Sequence, residues 1–346
     1  MQPIVSILIP AHNAGRWVAD ALLSAVEQTW PRKEVILVDD GSTDETLAIA
    51  QKFCSATVKV VAQEKQGAAA ARNKALALSQ GDYIQWLDAD DLLARDKLAR
   101  QVEVLHRFES KRTLVSGPWG FFSYRTDAAK FRPTALWCDL PPVDWLVRRW
   151  NHNAHMQTAT WLITRELTEL AGPWDVRLLS NDDGEYLCRV IKSCDSIRFV
   201  PEAKVFYRVT GSSRLSYVGQ STAKLEAQLL GVRLQIEHVR SLEDSERTRS
   251  ACLRKLQLWF DNFYPDSADL ISSVEPIVTS LGGTLEPPKL SWKYAWIQKV
   301  FGWAAAKRFR TNYNRLKSSM IRLWDAFVFH VGHKVAGAAR PRRAEH

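Results

Sequence analysis

Four short apolar runs punctuate the first ninety residues. Ile4 to Ile9 stops at Pro10, Val35 to Val38 at Asp39-Asp40-Gly41, and Tyr83 to Leu87 at Asp88, while Thr57 to Ala62 forms the third run. Near-continuous apolar strands are expected where both faces of a parallel sheet are covered. Helical patterns fill the gaps. Val18, Ala21, Leu22, Ala25 and Val26 share one stripe, Ser42-x-x-Glu45 has the form of a capping box opening a second helix, and Gln66 to Ser79 is Ala-rich. Strands alternating with helices imply right-handed crossovers and an α/β, doubly wound, mostly parallel sheet flanked by helices. Ligands of such sheets sit beyond the carboxyl ends of the strands. The polar residues there are His12-Asn13, Asp39-Asp40 and Asp88-Ala89-Asp90-Asp91.

Past residue 220 the pattern is helical, with Leu225, Leu229, Val232 and Ile236 at helical spacing and breaks at Pro265, Gly282-Gly283 and Pro287-Pro288. Two later stripes combine aromatics with cations: Trp292, Trp296, Val300 and Trp303, then Met320, Trp324, Phe327, Val331 and Val335. Charge follows the same division. From Lys289 to His346 there are thirteen Lys or Arg against Asp325 and Glu345, or +11, and the remainder carries −2. Apolar stripe plus basic flank suits a helix lying in an anionic membrane surface. It suits equally a helix packed on the rest of the chain with a solvated basic side. Nucleic acid is not expected, because no known nucleic-acid-binding module accompanies the charge.

Composition narrows the class. With 46% apolar and 25% charged residues, 346 residues suffice for a globular protein of about two units. No run approaches the about 20 apolar residues of a membrane-spanning helix, and Met1-Gln2-Pro3 lacks the basic start of a secretory leader. Five cysteines without a Cys-x-x-Cys pair point to reduced thiols. Neither Gly-x-Gly-x-x-Gly nor a Gly-x-x-x-x-Gly-Lys-[Ser/Thr] loop is present, so phosphate binding must rest on a metal and individual side chains. The three carboxylates in Asp88-Ala89-Asp90-Asp91 would repel unless a cation intervenes. Mg²⁺ or Mn²⁺ would neutralise them and accept diphosphate oxygens. Alternatively, Asp90 or Asp91 caps a helix beginning near Leu92.

The strings Val5 to Asn13, Val38-Asp39-Asp40-Gly41-Ser42-Thr43-Asp44, Gly67 to Asn73 and Trp86 to Asp91 come in an order and spacing that resemble the family 2 glycosyltransferases with the GT-A fold. The likeness runs over about residues 4–217. It implies that Pro10 and Ala11 contact a sugar-nucleotide through main chain and that His12, where many relatives have Tyr, stacks on the base. It further implies that Asp40 bonds the base with help from Arg72, that Asp88 holds the ribose or sugar, and that Asp90 ligates Mn²⁺ or Mg²⁺. His12 could instead merely end a strand, Asp39 could be a structural partner of the following helix, and Ser42 is expected to cap rather than bind.

Direct displacement at an anomeric carbon also needs a base for the acceptor hydroxyl. Asn181-Asp182-Asp183-Gly184-Glu185-Tyr186 resembles the family's acidic helix start under the acceptor site, and on that alignment Asp183 is the base. Glu185 is a second candidate, and helix capping by Asp182 or Asp183 a third reading. A single base opposite the leaving group implies inversion. Tyr207 to Ser216 resembles the strip near the diphosphate, with Thr210 where relatives often have His. Arg208 or Arg214 could offset diphosphate charge there or be solvated loop residues. Of Trp119, Trp137, Trp145, Trp150, Trp161 and Trp174, most are expected in the core and one or two along the acceptor groove. Processive synthases of the family carry Gln-x-x-Arg-Trp after the base; here Arg149-Trp150 precedes Asp183 and Leu146 stands where Gln would, so a non-processive enzyme is expected.

The expected organisation is a nucleotide-sugar-binding half (1–100), an acceptor-binding half with the base (101–220) and a helical C-terminal region (221–346). The expected partners are a nucleotide-sugar, UDP-sugar by resemblance, and a saccharide or lipid-linked saccharide acceptor in cell-surface polysaccharide or glycolipid synthesis. The expected location is cytoplasmic, with the tail holding the chain peripherally on the inner face of the cell membrane. A non-catalytic nucleotide-sugar- or membrane-binding module on the same scaffold is the alternative.

Overall fold

A computed structural model describes residues 2–108, 110–210, 222–264, 268–288 and 291–338. The chain first lays down β1 (Val5–Ala11), α1 (Val18–Val26), β2 (Lys33–Asp40), α2 (Thr46–Gln51), β3 (Val58–Gln63), α3 (Ala68–Leu78) and β4 (Tyr83–Trp86). The four apolar runs are thus the four strands. β1 pairs in parallel with β2 on one side and with β4 on the other. With β3 at one edge, the order is β3-β2-β1-β4, so β1, β2 and β4 end side by side at Ala11, Asp40 and Trp86.

Next come β5 (Leu92–Leu93), α4 (Lys97–Leu105), β6 (Thr113–Ser116), β7 (Trp119–Phe122), β8 (Lys130–Phe131), α5 (Pro142–Asn151), β9 (Ile163–Thr164), α6 (Arg165–Ala171), α7 (Asp182–Ser193), β10 (Ser196–Phe199) and β11 (Val205–Arg208). β9 adds antiparallel to β4 and completes a five-stranded sheet across residue 100. β11 is sandwiched between β5, antiparallel, and β7, parallel, and this second sheet carries residues 205–208 back beside the acidic string. Trp86, Trp145, Trp150, Trp161, Trp174 and Tyr186 are among the largest fully buried side chains, which joins the two halves in one core.

Two expected caps are corrected. Ser42 does not cap the second helix: its hydroxyl accepts from Asn13 N at 2.9 Å. Asp44, one residue before the N-cap position Glu45, instead ties the helix start to the segment that follows β1, accepting from Thr46 N at 2.9 Å and from Gly15 N at 3.0 Å. Nor does a helix begin near Leu92, because Leu92 and Leu93 pair with Phe206 and Val205 as a strand.

The C-terminal helices are α8 (Thr222–Leu242), α9 (Glu246–Phe263), α10 (Ala268–Ser280) and α11 (Trp292–Ala338), the last broken at Gly302, whose φ is 81°. The break divides the expected first stripe. Trp303 turns inward, its Nε1 donating to the Pro288 carbonyl at 3.2 Å, and its ring meets Tyr264. Trp292 and Trp296 stay outside, 80% and 61% exposed. Further along, Asp325 accepts from Tyr124 N and Arg125 Nε at 2.9 and 2.8 Å, tying the helix to the segment that follows β7. Trp324 and Phe327 remain exposed. The packing reading thus holds for the stretches around Trp303 and Asp325, and these four aromatics stay outside it. The side chains of Val331 and Val335 lie outside the described residues. Among those residues no helix is long and apolar enough to cross a membrane, and all five thiols are free.

Candidate active site

The nucleotide end is built on the tips of β1 and β2. Pro10 is half-buried and Ala11 buried. His12 Nε2 lies 3.0 Å from the Lys65 ammonium, which can only donate, so the ring proton sits on Nδ1 and donates to the Asp40 carbonyl at 2.8 Å. Asp40 is 3% exposed. Its carboxylate accepts from Gln63 Nε2, Gln66 N and Gly67 N, each at 2.8 Å. It thereby fixes the turn into α3, where Gly67 takes a φ of 98°. These three donors leave the carboxylate about one acceptor site, on Oδ2, for a base. Asp39 accepts from Ser42 N, a partner to the turn before α2.

The acidic string fans out instead of crowding. Asp88 pairs with Arg72 at 3.0 Å. Asp90 accepts from the Thr210 hydroxyl at 3.2 Å. Asp91, fully buried, accepts from Arg208 N at 2.8 Å and Gln157 Nε2 at 2.6 Å. Each of the three carboxylates thus has partners of its own, and the capping role weighed for Asp90 and Asp91 is corrected, since the chain continues as β5 rather than as a helix. Arg208 is neither a solvated loop residue nor open to a ligand. It is 2% exposed, bonded to Asp20 and the Asp90 carbonyl, and packed on Trp17 and Phe122. Arg214 and the rest of 211–216 lie outside the described residues.

No cluster of three metal-ligating side chains occurs among the described residues. Asp90, a half-buried hard oxygen donor whose neighbour Thr210 brings a hydroxyl, fits Mg²⁺ or Mn²⁺ that takes its remaining ligands from a diphosphate and water.

On the side of α7, Asn73 exchanges hydrogen bonds with the Trp174 main chain at 2.9 and 2.8 Å. This holds Trp174 under Arg72, whose guanidinium carbon lies 4.4 Å from the ring centroid. Arg72 also bonds Asp182 at 2.6 Å. Burial alone would lower the Arg72 pKa, but Asp182 and Asp88 outweigh it and hold it above its ordinary value. Asp182 is likewise raised, by burial and by Asp183 and Asp88 against the pull of Arg72. The two shifts agree once charges are counted: one guanidinium faces several carboxylates.

Asn181, in left-handed conformation at φ 59°, turns the chain into α7, so Asp182 and Asp183 are its first helical residues rather than its cap. Glu185 is buried, and Arg189 and His238 bind its carboxylate at 2.7 and 3.1 Å. Burial would raise its pKa, but these partners bring it below the usual range. Glu185 is a structural anion. Asp183 differs: among the described residues its side chain makes no hydrogen bond or ion pair, and it faces a cleft of about 270 Å³ with Arg149, Trp150, His155 and Lys255.

The structure therefore gathers Arg72, Asp88 and Asp182 into one cluster with Asp183 alongside. Trp119, Trp145, Trp150, Trp161 and Trp174 are buried and Trp137 half-buried; of the six, Trp150 lines the cleft. Sequence reasoning missed Lys65, the tie between Arg72 and Asp182, and the cations of the cleft. Arg149-Trp150 was a visible signal, dismissed because it precedes Asp183 in order, whereas the fold sets it beside that residue. Lys255 left no local signal.

Parallel strands ending in a carboxylate cluster, with a helix bringing a second acidic pair opposite, are the GT-A fold of the glycosyltransferases. S. aureus TarS 1–349 in complex with UDP-GlcNAc superposes with a TM-score of 0.61 at 18% identity, covering 80% of this chain and 79% of that one. Residues 6–155 match the family model described as Glycosyl transferase family 2. TuaG of Bacillus subtilis (strain 168), named for teichuronic acid biosynthesis, is 41% identical over 107 residues, 30% of this chain and 42% of that protein. An uncharacterized glycosyltransferase of Haemophilus influenzae is 34% identical over 136 residues, 38% of this chain and 54% of its own length. The chain spans about half the length of these curated relatives.

Proposed function

We propose that the protein is a metal-assisted, inverting, non-processive glycosyltransferase that moves a sugar from a nucleoside diphosphate donor to a hydroxyl acceptor. The observation that carries this is the bridge from Asp88 through Arg72 to Asp182, which joins the donor-side strand end to the acceptor-side helix and leaves Asp183 unengaged beside it. The donor lies across Pro10, Ala11 and His12, in the frame that Asp40 fixes, with Asp88 toward its ribose or sugar. A UDP-sugar is the favoured donor, supported by the fold shared with TarS, which was crystallised with UDP-GlcNAc. Mg²⁺ or Mn²⁺ held by Asp90 would neutralise charge on the departing diphosphate. Asp183 removes the acceptor proton and, standing opposite the leaving group, directs inversion. Thr210 steadies Asp90, and Arg72 keeps Asp88 and Asp182 in place.

The acceptor is a saccharide or lipid-linked saccharide of cell-surface polysaccharide or glycolipid synthesis. The name of the similar TuaG supports that context. The exposed aromatic and basic face of α11 suits attachment to an anionic membrane surface on the cytoplasmic side.

Asp183→Asn tests the base. It should lower transfer from UDP-sugar by about a hundredfold or more, the scale of general-base loss, while calorimetric binding of UDP stays intact. Near-normal turnover would remove Asp183 from this role.

A further inference from the structure

The cleft in front of Asp183 holds two cations that have no hydrogen-bond or ion-pair partner among the described residues. Arg149, on α5, is 9% exposed, yet its guanidinium has no hydrogen bond or ion pair among the described residues; its nearest ring is Trp145 at 5.7 Å. Lys255, reaching in from α9, likewise has no hydrogen-bond or ion-pair partner there. Asp183 completes the opening from α7 but forms no salt bridge with either. A desolvated cation without a partner is costly, and proteins normally pair or coordinate it. Elsewhere this chain does so: Arg72 and Arg189 are each tied to carboxylates. Burial keeps the pKa of Arg149 below its ordinary value and brings Lys255 down to about 8, in each case more than Asp183 restores. Two cations on neighbouring helices, open to one small cleft, form a site for an anion supplied from outside.

We propose that the acceptor carries an oxyanion group, phosphate or carboxylate, which Arg149 and Lys255 bind so that a nearby hydroxyl of the same molecule meets Asp183. This rests on the reading of the cleft as the acceptor site. The planar guanidinium takes two oxygens at once, and Lys255 adds a point charge from the opposite wall. His155 and Trp150 border the rest of the opening, where the uncharged part of an acceptor would lie. Asp183 repels the anion and so keeps it on the cation side, leaving the hydroxyl as the group that approaches the carboxylate. Lys255 comes from α9, outside the family segment 6–155, so acceptor choice is written partly by the C-terminal region.

Glycerol 3-phosphate, glycerate and glycerol share one three-carbon scaffold bearing phosphate, carboxylate or no charge. Titrated by calorimetry against the full chain at pH 7, the first two should bind saturably and glycerol should not; if one of them alone binds, it names the anion. Arg149→Gln and Lys255→Gln should each weaken binding by about tenfold or more, the size of one charge-assisted bond, and Asp183→Asn should leave it equal or tighter. Should Arg149→Gln fail to fold, pH gives a second measure. The groups facing Lys255 are Arg149, Asp183, His155, whose pKa burial holds below its ordinary value, and Cys188, whose buried thiol is pushed up to about 12 and so stays neutral. Affinity should therefore fall as pH rises through about 8 as the ammonium is lost, and Lys255→Gln should abolish that fall. Equal binding of glycerol, no saturable binding of either anion, or affinities unchanged in both variants would overturn the proposal. UDP titrated in parallel keeps the readings apart: UDP binding without anion binding overturns the acceptor proposal and leaves the transferase reading standing, whereas loss of both overturns both.

Discussion

Asp182 and Glu185 stand three residues apart on one helix, and their surroundings shift them in opposite directions. Glu185 is held below the usual carboxylate range by His238 and Arg189 despite its burial. Its stabilising contribution is thus present above the unfolded pKa and lost as pH falls. Asp182 is held above that range by burial and its acidic neighbours, so the folded state grips its proton more tightly. Its contribution is present in acid and lost as pH rises through the raised value. Glu185→Ala should therefore destabilise the chain at pH 7 by about 3 kcal/mol, because Arg189 and His238 lose their anion. Asp182→Asn keeps an acceptor for Arg72 and should flatten the pH dependence without loss of stability at pH 7. Urea unfolding of both variants between about pH 4 and pH 7 measures this. A larger loss in Asp182→Asn than in Glu185→Ala would reverse the assignment of structural and functional carboxylates along α7.

At the scale of elements, the turn between β2 and α2 shows where local patterns mislead. Ser42-x-x-Glu45 has the spacing of a capping box, yet β1 places Asn13 and Gly15 against this turn. Ser42 then serves Asn13, and Asp44 serves Gly15, Thr46 N and the Thr46 hydroxyl. Asp44→Ala should cost about 1–2 kcal/mol, the scale of lost side-chain bonds at a helix start, and Ser42→Ala about half that or less. Thermal unfolding of the two variants decides; a greater loss from Ser42→Ala would restore the capping box. The same physics governs what was legible in the chain. β1 to β4 could be read because continuous apolar runs bounded by Pro10, Asp39 and Asp88 carry their own signal. Leu92-Leu93 could not, because its strand state comes from pairing with Val205-Phe206, more than a hundred residues on. The site divides likewise: Asp88, Asp90 and Asp183 are marked by strand ends and an acidic helix start, while the Arg72 bridge to Asp182 and the approach of Lys255 depend on packing between distant helices.

Across the whole molecule, charge and apolar exposure concentrate in one place. The region from Lys289 to His346 carries +11 against −2 for everything before it. Trp292, Trp296, Phe309, Met320, Trp324 and Phe327 are each more than half exposed on α11. An anionic bilayer would match both, burying aromatics at the interface and attracting cations at about 1 kcal/mol each within a Debye length. The clasp of Asp325 on Tyr124 and Arg125 fixes how the helix meets the segment that follows β7, and so how an attached enzyme would present its cleft. Two terms with different salt responses make the idea separable. Flotation of the full chain with vesicles containing anionic phospholipid should be strong at low salt and reduced, not abolished, at high salt, because screening weakens the cations while the aromatics stay inserted. Zwitterionic vesicles should recover little protein. A chain ending at Pro288 should remain in the bottom fraction under all conditions, and Trp292→Ala with Trp296→Ala should lose the salt-resistant part alone. Equal flotation of the truncated and full chains would detach membrane association from the tail and return α11 to a packing role.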